Sequence, residues 1–151
     1  VTHFELTTYV AAARERVFDA CLDIDLHTAS MAGSGERAVG GVTSGRLGLG
    51  DRVTFEARHL GIRWRMAARV TELDRPAYFV DEQERGPFKR WHHAHYFAPD
   101  GAGGTVMRDI VEFTSPCGPL GSLVERLVLR TYMIRLIQSR NQYLSSQLPD
   151  M

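Results

Sequence analysis

The chain has 151 residues, 44% of them hydrophobic and 24% charged, which suits a single domain with a core of its own and excludes wholesale disorder. Basic and acidic residues number 18 each, so no net field draws the chain to nucleic acid or to an anionic membrane, and neither partner is expected. Cys21 and Cys117 lie far apart without CxxC spacing, no apolar run approaches about 18 residues, and the first residues lack a charged-then-apolar leader, so a cytoplasmic, reduced setting is expected.

His3 to Val10 is rich in strand formers and predicts a first strand. Helix follows from Ala11 to Arg16, with Val17, Phe18, Cys21 and Leu22 at helical spacing, and Asp23 to Met31 reads as a second short helix stopped by Gly33-Ser34-Gly35. From Glu36 the pattern changes to strands broken by turn signals at Gly40-Gly41, Ser44-Gly45, Gly48 to Asp51, Leu60-Gly61, Asp74 to Pro76, Gly86-Pro87 and Asp100 to Gly104. Two strands alternate clearly. Val53, Phe55 and Ala57 oppose Arg52, Thr54, Glu56 and Arg58, and Ile62, Trp64, Met66, Ala68 and Val70 oppose Arg63, Arg65, Arg69 and Thr71. Trp64 and Met66 are expected on a core or cavity wall. The arginines are expected on a solvated face, with Glu56, Glu72 and Glu82 interleaved.

Beyond Pro119 a helix is predicted from Leu120 to about Gln147, roughly 40 Å long at 1.5 Å per residue. Its wheel shows one stripe of Leu120, Leu123, Leu127 and Ile134 and another of Leu129, Met133, Leu136 and Tyr143. Two stripes imply contacts on two sides, the second with a sheet edge, the short helices or a second copy in a homodimer.

The chemistry concentrates in one hairpin. Alternation places Trp91, His93, His95 and Phe97 on one face and Thr105, Met107, Asp109, Val111 and Phe113 on one face of the next strand. Large apolar groups mixed with a few titratable ones suit the lining of a small-molecule cavity. A hairpin through Asp100 to Gly104 brings Asp109 opposite His93 or His95, where it either satisfies an imidazole, joins it in contacting a ligand, or completes a metal's ligand set with both. No metal is expected. Asp81 depends on the Gly86-Pro87 turn: a three-residue turn sets it opposite His93, a two-residue turn faces it away.

The order strand, two short helices, six strands and long helix, together with Phe79 to Gln83, Gly86-Pro87-Phe88, Trp91, His93, His95, Gly104-Thr105, Asp109 and Pro116, resembles the START-like superfamily, also called SRPBCC or polyketide cyclase/dehydrase-like. The resemblance covers essentially the whole chain and implies a single ligand-binding domain over residues 1–151. It implies an α+β helix-grip fold, a seven-stranded antiparallel sheet wrapped around the last helix with a ligand cavity between them. It further implies an apolar small-molecule ligand, such as a lipid, quinone, polyketide or aromatic metabolite, bound without a cofactor. Trp64, Met66, Asp81, Trp91, His93, His95, Met107, Asp109, Leu127 and Ile134 are the expected ligand-binding residues, with Tyr132 and Arg135 on the same helix. The superfamily also holds cyclases and dehydratases acting on such ligands, and regulatory interaction modules. No nucleophile elbow, Walker loop, dinucleotide fingerprint or cyclase-specific motif appears, so binding is the expectation ahead of catalysis.

Overall fold

Period-two alternation builds seven strands, and Gly, Pro and Asp break it into turns. The computed structural model describes residues 1–116 and 118–150, so Cys117 and Met151 lie outside the described residues. In chain order come β1 (Thr2–Val10), α1 (Arg14–Leu22), α2 (Ile24–Ser30), a 3-10 turn (Ala32–Ser34), β2 (Arg37–Gly41), β3 (Arg52–His59), β4 (Ile62–Asp74), β5 (Tyr78–Arg85), β6 (Arg90–Pro99) and β7 (Thr105–Thr114). α3 (Gly118–Val124), a π turn (Glu125–Leu129) and α4 (Arg130–Gln147) follow, with a last 3-10 turn. The strands form one antiparallel sheet ordered β1-β7-β6-β5-β4-β3-β2. Asp23 caps α2 by accepting a hydrogen bond from the Leu26 amide at 3.0 Å, a contact worth about 1 kcal/mol. No described helix is long and apolar enough to cross a membrane.

Two apolar clusters occupy the inner side of the sheet. One gathers Val10, Phe18, Leu22, Phe79, Phe97, Met107, Leu144 and Leu148; the other gathers Phe4, Trp91, Val111, Phe113 and Ile137. Phe18 meets Phe79 and Phe97 edge to face at 5.6 and 5.2 Å, a geometry that aligns the positive ring edge with a negative face. Along β6 the sequence Trp91, His93, His95, Phe97 runs from the second cluster to the first. The polar residues therefore fall between two apolar blocks.

The final helix departs from the straight wheel. The π turn adds a residue to one turn and rotates everything beyond it relative to α3. Leu120, Leu123 and Leu127 stand exposed, while α4 buries Ile137, Arg140, Asn141 and Leu144. Glu56 also departs from expectation. It points outward, yet it is only 5% exposed because Arg37 and Arg65 donate to it at 2.8 and 2.7 Å and lie over it. The hydrogen bonds from Arg65 and Arg37 lower its pKa despite the opposing effect of desolvation.

The β5–β6 pairing settles the position of Asp81. Asp81 stands opposite His93, but pairing stops at Glu82 and His92, and neither tight turn closes the hairpin. The Gln83 amide closes it instead, donating to the Phe88 carbonyl at 2.7 Å and accepting from the Phe88 amide at 3.2 Å. Gly86 leaves room for that amide, since a Cβ there would sit 2.3 Å from Gln83 Oε1. Gly86→Ala is expected to lose about 1 kcal/mol by displacing the bridge. Urea denaturation of Gly86→Ala, Gln83→Ala and the double variant checks this, and additive losses would show that glycine and amide act independently.

Candidate functional site

A cavity of about 400 Å³ opens between the inner side of the sheet and α4. Its wall is mostly apolar, with Ile24, Val53, Phe55, Trp64, Met66 and Trp91 from the sheet and α2 facing Leu129, Met133 and Leu136. At one place β5, β6 and α4 bring Asp81, His93, His95 and Arg140 to its surface. At another, His59 Nδ1 and the Tyr132 hydroxyl meet at 2.7 Å and join β3 to α4. Burial lowers the pKa of His59 and raises that of Tyr132.

The polar cluster is organised on Asp109, which is fully buried behind the cavity surface. Oδ1 accepts from Arg140 Nη2 at 2.8 Å and from His93 Nε2 at 2.7 Å, and Oδ2 accepts from Asn141 Nδ2 at 2.7 Å. Asn141 Oδ1 in turn accepts from Arg140 Nε and Nη2, while its Nδ2 also reaches Thr8 Oγ1 at 3.1 Å. β1, β6, β7 and α4 are thus tied at one carboxylate. Burial alone would raise the Asp109 pKa. The Arg140 charge and the two histidines outweigh it and hold the group well below the usual carboxylate range.

The two imidazoles stack 3.7 Å apart and cross: His93 leans to Asp109 on β7, whereas His95 leans to Asp81 on β5, with Nε2 to Oδ2 at 2.6 Å. Burial, reinforced by the neighbouring His95, pushes His93 down to about 4. Because ionised Asp109 only accepts, neutral His93 must carry its proton on Nε2. For His95, burial opposes the charged form, but Asp109 and Asp81 overcome it and raise the pKa. Its buried Nδ1 has no hydrogen-bond partner and lies 3.4 Å from Asp109 Oδ1, where a proton is favoured over a lone pair. Desolvation likewise opposes ionisation of Asp81, and the His95 bond reverses it to a net lowering.

Trp64, Met66, Asp81, Trp91, His93 and His95 line the cavity. Four expected residues lie elsewhere. Asp109 anchors from beneath, fully buried Met107 packs on Cys21 in the first apolar cluster, Ile134 packs on the second, and Leu127 is 65% exposed. Tyr132 lines the cavity, whereas Arg135 is exposed. The residue that gathers with the histidines is also different from the one expected of a metal's ligand set. Asp81, His93 and His95 bring ligand atoms within 4.8 Å of one another, while Asp109 is taken up by Arg140 and Asn141. Stacked rings hold their in-plane lone pairs side by side, so a metal requires one ring to turn.

No protein-family model and no curated protein matches the chain. Solved structures do. A START superfamily protein from Mycobacterium smegmatis matches with a TM-score of 0.75 at 14% identity, over 97% of this chain and 98% of that one. The chain has the START-like helix-grip fold. Protein TTHA0849 from Thermus thermophilus shares it with a TM-score of 0.75 at 18% identity, covering 95% of this chain and 97% of its own. The major latex-like protein 151 of Panax ginseng shares it at 0.65 and 10% identity, covering 96% and 95%. Within this START-like fold, sequence reading passed over Arg140 and Asn141. Their signal was present: Ile137, Asn141, Leu144 and Leu148 recur at i, i+4, i+7 and i+11, so an amide interrupts an apolar stripe with an arginine beside it.

Proposed function

We propose that the chain binds one apolar small molecule in the cavity between sheet and α4, as a carrier or receptor and not as an enzyme. The observation that carries this reading is the cavity itself, whose volume falls within the range of small-molecule sites and whose apolar wall is broken by a few polar groups. Lipids, quinones, polyketides and other aromatic metabolites share the required shape and polarity. A cytoplasmic location goes with the reading, since Cys21 and Cys117 lie far apart in sequence without CxxC spacing. Native mass spectrometry of protein from its own cells, paired with titration of an environment-sensitive apolar dye, tests it. Ala68→Phe, which puts a ring into the cavity from β4, is expected to weaken dye binding at least about tenfold. Absence of both a retained ligand and dye binding would overturn the reading.

One observation favours a second reading, cyclisation or dehydration of the same ligand: stacked imidazoles with opposite pKa shifts supply a base beside an acid. Turnover of a carbonyl substrate by the purified chain is its signature.

A further inference from the structure

Where Arg140 and His93 meet the cavity, Nη1 of Arg140 and Nδ1 of His93 make no hydrogen bond among the described residues. The two residues are only 6% and 4% exposed, and neither atom is among the sealed, unpaired polar atoms of the interior. Both side chains line the cavity, so these atoms open onto it. Each residue is fixed through another nitrogen on the same oxygen, Asp109 Oδ1, at 2.8 and 2.7 Å. Arg140 therefore presents N–H donors with a permanent positive charge, beside a neutral imidazole that presents a lone pair.

A donor and an acceptor carried by two side chains that share Asp109 Oδ1 match the carboxylic acid group, whose carbonyl accepts and whose hydroxyl donates. Charge counting leads to the same group. Where His95 holds a proton between Asp81 and Asp109, the two carboxylates are matched by His95 and Arg140 and the cluster is neutral before any ligand enters. A carboxylate entering alone would add an uncompensated buried charge close to Asp81. An acid that keeps its proton, on its own oxygen or on His93, leaves the count unchanged.

We propose that the ligand is an apolar carboxylic acid whose carbonyl oxygen accepts from Arg140 Nη1 and whose proton is shared with His93 Nδ1, so that binding from neutral solution takes up one proton. This rests on the cavity reading above and names the ligand class. The proton comes from solvent, and only an O–H or N–H bond forms. The groups that set its balance around His93 are Asp81 from β5, His95 from β6, Asp109 from β7, Arg140 and Asn141 from α4, and Cys21 from α1. The Cys21 thiol, pushed by burial up to about 12, stays neutral throughout.

Dodecanoic acid and 1-dodecanol form a matched pair of probes. Calorimetry of the acid at pH 7 in buffers of different ionisation enthalpy is expected to show uptake of about one proton per ligand, with affinity falling about tenfold per pH unit between roughly 6 and 8. Displacement of the apolar dye by the alcohol is expected to be independent of pH. His93→Gln keeps an N–H for Asp109 and lacks the ring nitrogen that takes the ligand's proton; it is expected to reduce the acid-to-alcohol affinity ratio at least about tenfold. The wild-type measurement stands even where that variant folds poorly. Acid binding without proton uptake, or an unchanged acid-to-alcohol affinity ratio in a folded His93→Gln, overturns the proposal. Dye binding that neither probe displaces overturns it and leaves the cavity reading intact, whereas absence of dye binding overturns both.

Discussion

Replacing Asp109 with alanine is expected to destabilise the fold by about 3–5 kcal/mol, the range for removing one partner of a buried ion pair. Four side-chain nitrogens depend on this carboxylate, counting the longer approach of His95, and Arg140 at 6% exposure is too buried for solvent to take the partner's place. For a chain of this length such a loss lowers Tm by roughly 10 °C. The origin of the effect is the stranded guanidinium, more than the lost hydrogen bonds. The double variant Asp109→Leu, Arg140→Met is therefore expected to recover most of the stability, because an apolar pair replaces a charged pair without leaving an ion behind. Chemical denaturation of the three proteins reads this out. A loss below about 1 kcal/mol in Asp109→Ala would mean that Arg140 and His93 find other partners.

Stability is expected to fall on the order of 3 kcal/mol between pH 6.5 and pH 4 through His93 alone. In that window the unfolded imidazole binds a proton that the folded one, lowered to about 4, refuses, so stability rises with pH. His95 works in the opposite sense. Its raised pKa contributes stability that is fully present below 6.5 and is lost as pH rises through the folded value. Asp109 and Asp81 contribute stability present above the normal carboxylate range, lost as pH falls through their depressed values. The curve thus has a maximum near neutrality with a different histidine on each flank. Urea denaturation from pH 4 to 9 is expected to show a flattened acid limb in His93→Gln and a flattened alkaline limb in His95→Gln. An unchanged acid limb in folded His93→Gln would remove His93 as its source.

The fold was legible because sheet alternation is local information. Val53, Phe55 and Ala57, or Trp91, His93, His95 and Phe97, announce their shared face through period two alone, and turn residues mark where each strand ends. The site was legible only where it lies on strands. Asp81 could be put on β5 but not on a face relative to β6, since its register is fixed by a side chain, Gln83, standing in for backbone pairing. Leu127 and Ile134 were set on the cavity by a straight helical wheel that the π turn rotates. Asn141 and Arg140 escaped because polar residues near a helix end ordinarily face water, and the carboxylate that pulls them inward lies about thirty residues away in sequence. Glu56 was assigned to solvent because a period-two pattern gives direction, not cover; the arginines above it are a tertiary fact.

The strand order has a consequence for how the chain assembles. β1 pairs with β7, residue Leu6 against Asp109, so the first strand has its only sheet neighbour among the described residues at the far end of the sequence. Asn141 reaches Thr8, and Arg16 donates to the Leu148 carbonyl at 2.7 Å. Such distant pairings impose a large loop-closure entropy before any contact repays it, which slows folding. During synthesis the β2–β6 meander can form as it emerges, while β1 waits with both edges unpaired until β7 and α4 arrive. Assembly of the cavity's anchoring carboxylate is thus one of the last events in folding, and a chain released early presents an open strand edge in place of a binding site.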